Sequence, residues 1–362
     1  MKKFLLGTSA LVGAVAFASA ASAEPTVSVG GFLDFQAGFT DQDLDATGTV
    51  GGRETKFAND TEVNINVQGT ADNGLTYGAV IELEADVTAD TDGSGLNADK
   101  TFLFVESNAG RVELGSNIGA EDALKVDAAT IARATGGIDG DWYRFATVGT
   151  GFIIRPDLPN AHARGAAEDA TKITYYSPRF SGVQVGVSYT PDDGNVGTAA
   201  AFTTDTNGDN ENVFGLGANY TGQFDQVGVQ LSATGAFGES ETAATEDLSS
   251  WALGTVLSFQ GFSVAGSYGD WDDSGLPTGG SVDQNYWTLG AGYETGPFGV
   301  SLTYMDSEAG TSDFTNVSVG ADYQLAPGLV PYVEVNFFEL DPAGAALDND
   351  GTVLLVGTEL TF

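Results

Sequence analysis

From about residue 26 to the last residue, the chain is built from segments in which apolar and polar side chains take turns, and no other feature restricts it as much. Val63, Ile65 and Val67 alternate with Glu62, Asn64, Asn66 and Gln68, and Ala79, Ile81 and Leu83 alternate with Gly78, Glu82 and Glu84. Val183, Val185, Val187 and Tyr189 are spaced by Gln184, Gly186 and Ser188; Val317, Val319, Ala321 and Tyr323 by Ser318, Gly320 and Asp322. A period of two puts each set on its own face of a β-strand. Helical spacing shows only around 120–134. Sixteen strands are predicted, the first near 26–39 and the last near 351–362. Their connections are ordered too. Tight links at Asp72-Asn73-Gly74, Asn108-Ala109-Gly110, Pro178-Arg179, Gln260-Gly261, Gly296-Pro297 and Ala326-Pro327-Gly328 carry hairpin chemistry. Between them fall longer links, at 40–59, 89–98, 117–169, 191–210, 238–248, 272–282, 307–313 and 341–350. Short and long connections are expected to alternate strictly, with all short turns at one end of the sheet.

The first residues read as an address rather than as fold. Lys2 and Lys3 precede an apolar run from Phe4 to Ala20, and Ala21-Ser22-Ala23 supplies small residues for cleavage. Residues 1–23 are therefore expected to be a secretory signal peptide, leaving 24–362 as one domain. Nothing after Glu24 approaches the ~20 consecutive apolar residues that a spanning helix needs. The chain has 50 acidic residues against 13 Lys plus Arg, a formal charge of −37, which excludes a phosphate-binding nucleic-acid partner. It has no Cys and one His, His162, so disulfide scaffolds, thiolate sites and multi-His metal sites are excluded. No Gly-x-Ser-x-Gly or His-Glu-x-x-His motif occurs, and no enzyme activity is expected.

One face of these strands is rich in Val, Leu, Tyr and Phe, the other in Gly, Ser, Asn, Gln and Asp. An even number of strands with apolar-out alternation and turns sorted by length matches a transmembrane β-barrel, which closes so that no backbone group is left unpaired in lipid. Trp251 and Trp271 are expected to belt the long-loop end. Tyr220, Phe224, Phe262, Tyr293, Phe298 and Tyr323 are expected to belt the short-turn end. The last strand ends on an aromatic residue, Phe362, with Leu354, Val356 and Leu360 on its face.

Two stretches resemble the Gram-negative general porins of alphaproteobacterial type. They are Thr26-Val27-Ser28-Val29-Gly30-Gly31-Phe32 and Lys172-Ile173-Thr174-Tyr175-Tyr176-Ser177-Pro178-Arg179-Phe180-Ser181-Gly182-Val183. The resemblance spans the mature chain. It implies an all-β fold, a 16-stranded antiparallel transmembrane barrel with a long third loop folded inward. It further implies a homotrimer in the outer membrane and passive diffusion of ions and small hydrophilic solutes. Phe362 matches the terminal aromatic that the family presents to its barrel-assembly machinery.

Residues 117–169 form a link of 53 residues, against an ordinary loop of about 4–6. Trp142, Tyr143, Phe145, Phe152, Ile153 and Ile154 argue that it is packed, and the resemblance makes it the constriction loop. Acids Glu121, Asp122, Asp127, Asp139 and Asp141 are its pore-lining candidates, with Lys100, Arg111 and Lys172 as opposing bases on the polar faces of their strands. Arg179 is expected to anchor its turn. Acids exceed bases on the lumen side, so a preference for cations is expected. The family usually sets several arginines on the wall, and this chain is poor in them.

Asp90, Asp92, Asp205 and Asp209 stand near glycines in acidic loops and offer the oxygen ligands Ca²⁺ uses, without the full EF-hand pattern. No cofactor is required by anything in the sequence. Two other readings stay open: a solute-specific outer-membrane channel, and a secreted structural or adhesive β-protein.

Overall fold

The computed structural model describes residues 24–45, 53–85, 97–148, 153–159, 169–194, 208–343 and 348–362. The expected signal peptide, His162, Asp90, Asp92 and Asp205 lie outside them. Sixteen strands follow one another: β1 (Thr26–Asp45), β2 (Thr55–Thr70), β3 (Thr76–Glu84), β4 (Asn97–Ser107), β5 (Gly110–Ser116), β6 (Thr171–Tyr176), β7 (Val183–Asp192) and β8 (Asn210–Phe224). Then come β9 (Val227–Ser240), β10 (Leu248–Phe259), β11 (Phe262–Asp270), β12 (Gln284–Thr295), β13 (Phe298–Ala309), β14 (Ser312–Tyr323), β15 (Leu329–Asp341) and β16 (Asp348–Thr361). Each pairs antiparallel with its sequence neighbours, and β1 pairs with β16, so the sheet closes into a barrel. Phe362 extends that closing ladder: its N–H donates to Gly31 O at 3.0 Å and its carbonyl accepts from Gly31 N–H at 3.1 Å.

The alternation sorts the faces as the sequence predicts. On β10, Trp251, Leu253, Leu257 and Phe259 are exposed, while Ser250, Ala252 and Val256 are buried. They meet like residues across the ladder, Leu253 opposite Tyr268, Leu257 opposite Val264 and Phe259 opposite Phe262. The same division runs through β7, where Val183, Val185 and Val187 are exposed and Ser188 is buried. The exterior is therefore a continuous apolar surface, far beyond the few hundred Å² that a soluble monomer exposes. Among the described residues no helix is long and apolar enough to cross a membrane, which says nothing about strands. Ring pairs flank this surface: Tyr220 with Phe224 and Phe262 with Tyr293 near the short turns, Trp251 with Tyr268 and Trp287 with Tyr304 nearer the other end. Trp271 departs from its expected place. Its indole N–H donates to Asp157 O at 2.8 Å, and its ring packs against a buried cluster.

The strict alternation of short and long connections fails once. Residues 307–313, expected as a long link, are strand nearly throughout, because β13 and β14 run on and leave only Gly310 and Thr311 between Ala309 and its partner Ser312. Gly310 has φ 69°, a conformation that glycine adopts without a Cβ clash. Ser307 and Glu308 read as loop by polarity but keep the strand alternation. The Gln260-Gly261 turn has φ 50° and 84°, the paired positive values that a twisted two-residue hairpin requires.

The packed interior lies between the strands' polar faces and the segment after β5. Val126, Ala128, Ile138 and Ile153 of that segment cluster with Val256, Ala265, Tyr286 and Met305 of the wall. Trp142 and Phe145 cluster with Phe314, Phe338, Leu340, Val353 and Leu355.

Candidate functional site

The segment after β5 is an irregular ribbon: a single helical turn α1 (Ala120–Ala123), then 3-10 turns at Ala128–Ile131, Gly137–Asp139 and Asp141–Arg144. Asp127 caps the first 3-10 turn. Its carboxylate accepts the Thr130 N–H at 3.2 Å, and the Thr130 hydroxyl accepts the Asp127 N–H at 3.0 Å, a reciprocal capping box. Backbone groups freed by so little regular structure must find partners elsewhere. They find hydroxyls on the wall. Ala120 N–H donates to Ser188 Oγ on β7, Val126 N–H to Ser232 Oγ on β9, and Ala128 N–H to Thr288 Oγ1 on β12. Arg133 N–H and Ile138 N–H reach Ser301 and Thr303 on β13. Thr135 N–H and Gly137 N–H both reach Glu334 on β15 at 3.1 Å. Thr40 on β1 donates to Phe145 O at 2.9 Å, and Lys56 on β2 to Arg144 O at 3.1 Å. The ribbon thus follows the polar faces from β7 round to β2.

Glycines make room for it. A Cβ on Gly254 would run into Val126 O, one on Gly217 into Ala120 O, one on Gly38 into the Phe145 ring, and one on Gly320 would sit 2.8 Å from Arg133 O. The glycine richness of the polar faces, legible in the sequence, therefore has a second cause beside turns. The side chains are missing where the backbone of another segment comes close.

A void of about 730 Å³ is bounded by this ribbon on one side and by β7–β9 and β12–β16 on the other. Seven carboxylates border it (Asp122, Asp127, Asp139, Asp157, Glu294, Asp322 and Glu359) against four cations, Lys125, Arg133, Arg155 and Arg179. Lys125 stands in the middle of the ribbon's acids. It pairs with Asp157, lies 3.6 Å from both Asp122 and Asp127, and donates to Pro156 O at 2.9 Å. Burial opposes its charge, but Asp157, Asp127, Asp122 and Asp139 outweigh burial and hold its pKa well above the usual lysine value. Burial raises the Asp127 carboxyl, with Lys125 opposing and Asp157 adding to the rise. Asp139 is pushed up to about 8, by burial first and then by Asp157, against Lys125 and Arg155. Arg155 lies 4.0 Å from Asp139 and 4.8 Å from the Tyr143 ring. On the wall side Arg133 bridges Glu294 at 2.5 Å and Asp322 at 3.9 Å. Arg179 holds its own turn through Gly182 O at 2.7 Å and reaches Asn219 at 2.7 Å, while also bordering the void.

Of the residues singled out by sequence, Asp122, Asp127 and Asp139 come together at the void. Glu121 and Asp141 do not. Both are buried against the wall, Glu121 where Gly215 leaves space and Asp141 against Gln36. The three bases expected to oppose the loop acids are paired locally instead. Lys100 binds Glu82 at 2.5 Å on the adjacent strand, and Arg111 binds Glu113 at 2.7 Å and Glu106 at 3.3 Å. Lys172 is buried and donates to Ala170 O at 2.8 Å and to Asn117 O. The cause is register: Glu82 faces Lys100, and Arg111 faces Glu106, across neighbouring strands, where opposite charges meet first. Lys125, Arg155 and Asp157 carry the ribbon's electrostatics, yet nothing in their sequence spacing ranks them above the other loop charges. Asp209 lies with Asp192 and Asp193, their carboxylate oxygens within 4.8 Å of one another, and Asp193 accepts both the N–H and the side-chain amide of Asn210.

The model of the family described as Gram-negative porin matches residues 7–343. The chain belongs to that family. A protein of Rickettsia felis is 25% identical over the whole of both chains, and one of Rickettsia typhi is 26% identical over the same extent. Among solved structures, the anion-selective porin from Comamonas acidovorans superposes with a TM-score of 0.68 at 19% identity, covering 94% of this chain and all of its own. A mutant of Rh. blastica porin gives 0.60 at 21% identity, covering 93% and 100%. At these identities the structural likeness speaks for the fold. Family and fold together make this an outer-membrane β-barrel channel whose apolar exterior meets lipid.

Proposed function

We propose that this porin is a general diffusion channel for ions and small hydrophilic solutes, narrowed by the ribbon that follows β5 and preferring cations. The observation that carries the preference is the excess of seven carboxylates over four cationic side chains around one void. In a low-dielectric wall such an excess attracts counter-ions and raises the local cation concentration. The family reading adds a homotrimer, assembly through the strand that ends in Phe362, and export after removal of residues 1–23. The anion selectivity named for the Comamonas protein belongs to that protein; the charges lining this void argue the other way. Reconstitution in a planar bilayer with a KCl gradient tests the proposal. A reversal potential of the sign set by K⁺ is expected, and one set by Cl⁻ refutes the preference while leaving the channel intact. Bilayers that stay sealed refute the channel itself.

A further inference from the structure

The chain holds no Lys or Arg after Arg179, so β8–β16 bring acids to the barrel interior and no positive side chain. At the short-turn end of the void two of those acids are nonetheless matched. Glu294 on β12 stands opposite Gly299 on β13, and Gly299 stands opposite Asp322 on β14, so the two carboxylates flank a glycine on three neighbouring strands. The cation between them comes from the ribbon: Arg133 Nη2 lies 2.5 Å from Glu294 Oε2, and Nη1 lies 3.9 Å from Asp322 Oδ2. A Cβ on Gly299 would sit 2.7 Å from Arg133 Nε, 2.8 Å from its Cζ and 2.8 Å from Asp322 Oδ1. The guanidinium therefore lies over bare backbone, and Gly299 is buried beneath it.

Holding the ribbon does not require this side chain. The Arg133 N–H donates to Ser301 Oγ at 2.8 Å, and its carbonyl fits against Gly320, where a Cβ would come within 2.8 Å. The backbone is thus pinned to β13 and β14 without the guanidinium. Nor does the strand demand a glycine at 299, which has no left-handed φ. Only the guanidinium and the Asp322 carboxylate bar a methyl there. The three strands form a recess shaped for a flat, charged group, with acceptors on two sides. A guanidinium offers its donors in a fixed plane and meets both carboxylates, whereas an ammonium is a compact point charge that reaches one. We propose that Glu294, Gly299 and Asp322 form a guanidinium-binding seat that the ribbon keeps filled with its own Arg133, so that Arg133 decides whether guanidinium-bearing solutes are held in the void or passed.

The seat opens onto the void. The Arg133 side chain is 28% exposed and that of Glu294 62%, so a solute reaches the recess once the resident side chain is gone. A channel passes only what it binds weakly enough to release. A tethered group competes at an effective concentration on the order of millimolar, so dilute solutes do not displace it. Only the consequence for permeation rests on reading the void as the pore; occupancy of the seat can be read without any current.

Saturation-transfer NMR of methylguanidinium with the folded barrel in detergent is the test. Arg133→Ala empties the seat and should give transfer that saturates as methylguanidinium is added. The wild type, its seat filled, should give a signal several times weaker. Adding Glu294→Gln to Arg133→Ala should abolish the gain, and so should adding Gly299→Ala, whose methyl occupies the recess. Because Glu294 is exposed, the first pair keeps the seat refutable if the second fails to fold. Methylammonium should show no gain in Arg133→Ala. In planar bilayers methylguanidinium should reduce the current of Arg133→Ala about twofold and leave that of the wild type unchanged. The seat is overturned by equal transfer in the wild type and Arg133→Ala, by a gain that survives Glu294→Gln, or by an equal gain with methylammonium, which would make the recess a trap for any cation. A current unmoved in Arg133→Ala overturns its role in permeation. Bilayers left sealed by the wild type would refute the channel, while the NMR signal still decides the seat.

Discussion

Asp139 gives the void a charge that depends on pH. The carboxyl keeps its proton up to about 8, because it is buried beside Asp157. Raising the pH from 6 to 9 ionises it and adds one negative charge to the border of the void. The ratio of K⁺ to Cl⁻ permeability should therefore rise across that interval with a midpoint near 8, and Asp139→Asn should flatten the rise. Reversal potentials measured at a series of pH values check this, and an equal rise in the variant would assign the effect elsewhere. The sign for stability is opposite. A carboxyl that releases its proton at about 4 when unfolded and at a much higher pH when folded gives stability that is fully present below the lower value and lost as pH climbs to the upper one. A second residue-scale test concerns Gly254, where an added Cβ meets Val126 O. Gly254→Val should push the ribbon off the wall and toward the axis, lowering single-channel conductance while the barrel still runs as a folded species on unheated gels.

Among elements, the ribbon is held by wall hydroxyls, by the Glu334 carboxylate and by an aromatic stack centred on Trp142. Trp142→Ala removes contacts with Phe314 and Phe338. Large-to-small changes of this kind cost about 3–5 kcal/mol. Because the strands' ladder is untouched, the loss should fall on the ribbon. Trypsin should then cut at Arg133, Arg144 or Arg155 in the variant and spare the wild type, as read by mass spectrometry of the fragments. The strands themselves were legible in the sequence, since a two-residue period with one face against lipid leaves little freedom of register. The link at 307–313 misled because Ser307 and Glu308 are polar on a strand that continues past the apolar belt. The site was less legible. Asp139 and Asp141 differ by two positions, yet one borders the void and the other faces β1, because separate 3-10 turns meet at Gly140 between them. No pattern of loop residues encodes that rotation. Gly254 and Gly217 alternate correctly for strands, but the sequence does not say that another backbone lies against them.

For the molecule as a whole, the preference for cations is a field effect spread over the ionised acids around the void rather than one binding contact. Fields of that kind are screened over a Debye length of about 10 Å at 0.1 M salt and about 3 Å at 1 M. The permeability ratio should accordingly fall toward unity between those concentrations. A ratio unchanged at 1 M would mean that one local group sets it. The pairing of β1 with β16, carried to the last residue by Phe362 and Gly31, brings together strands that lie at opposite ends of the chain. Contacts so distant in sequence pay their loop-closure entropy late, so the ring is slow to form. Until the final strand arrives, β1 and β15 are rims with bare donors and acceptors, ready to recruit any passing extended peptide. A chain that loses its last dozen residues is thus not a slightly weaker barrel but an open sheet with two sticky margins, and aggregation rather than leakage is its fate.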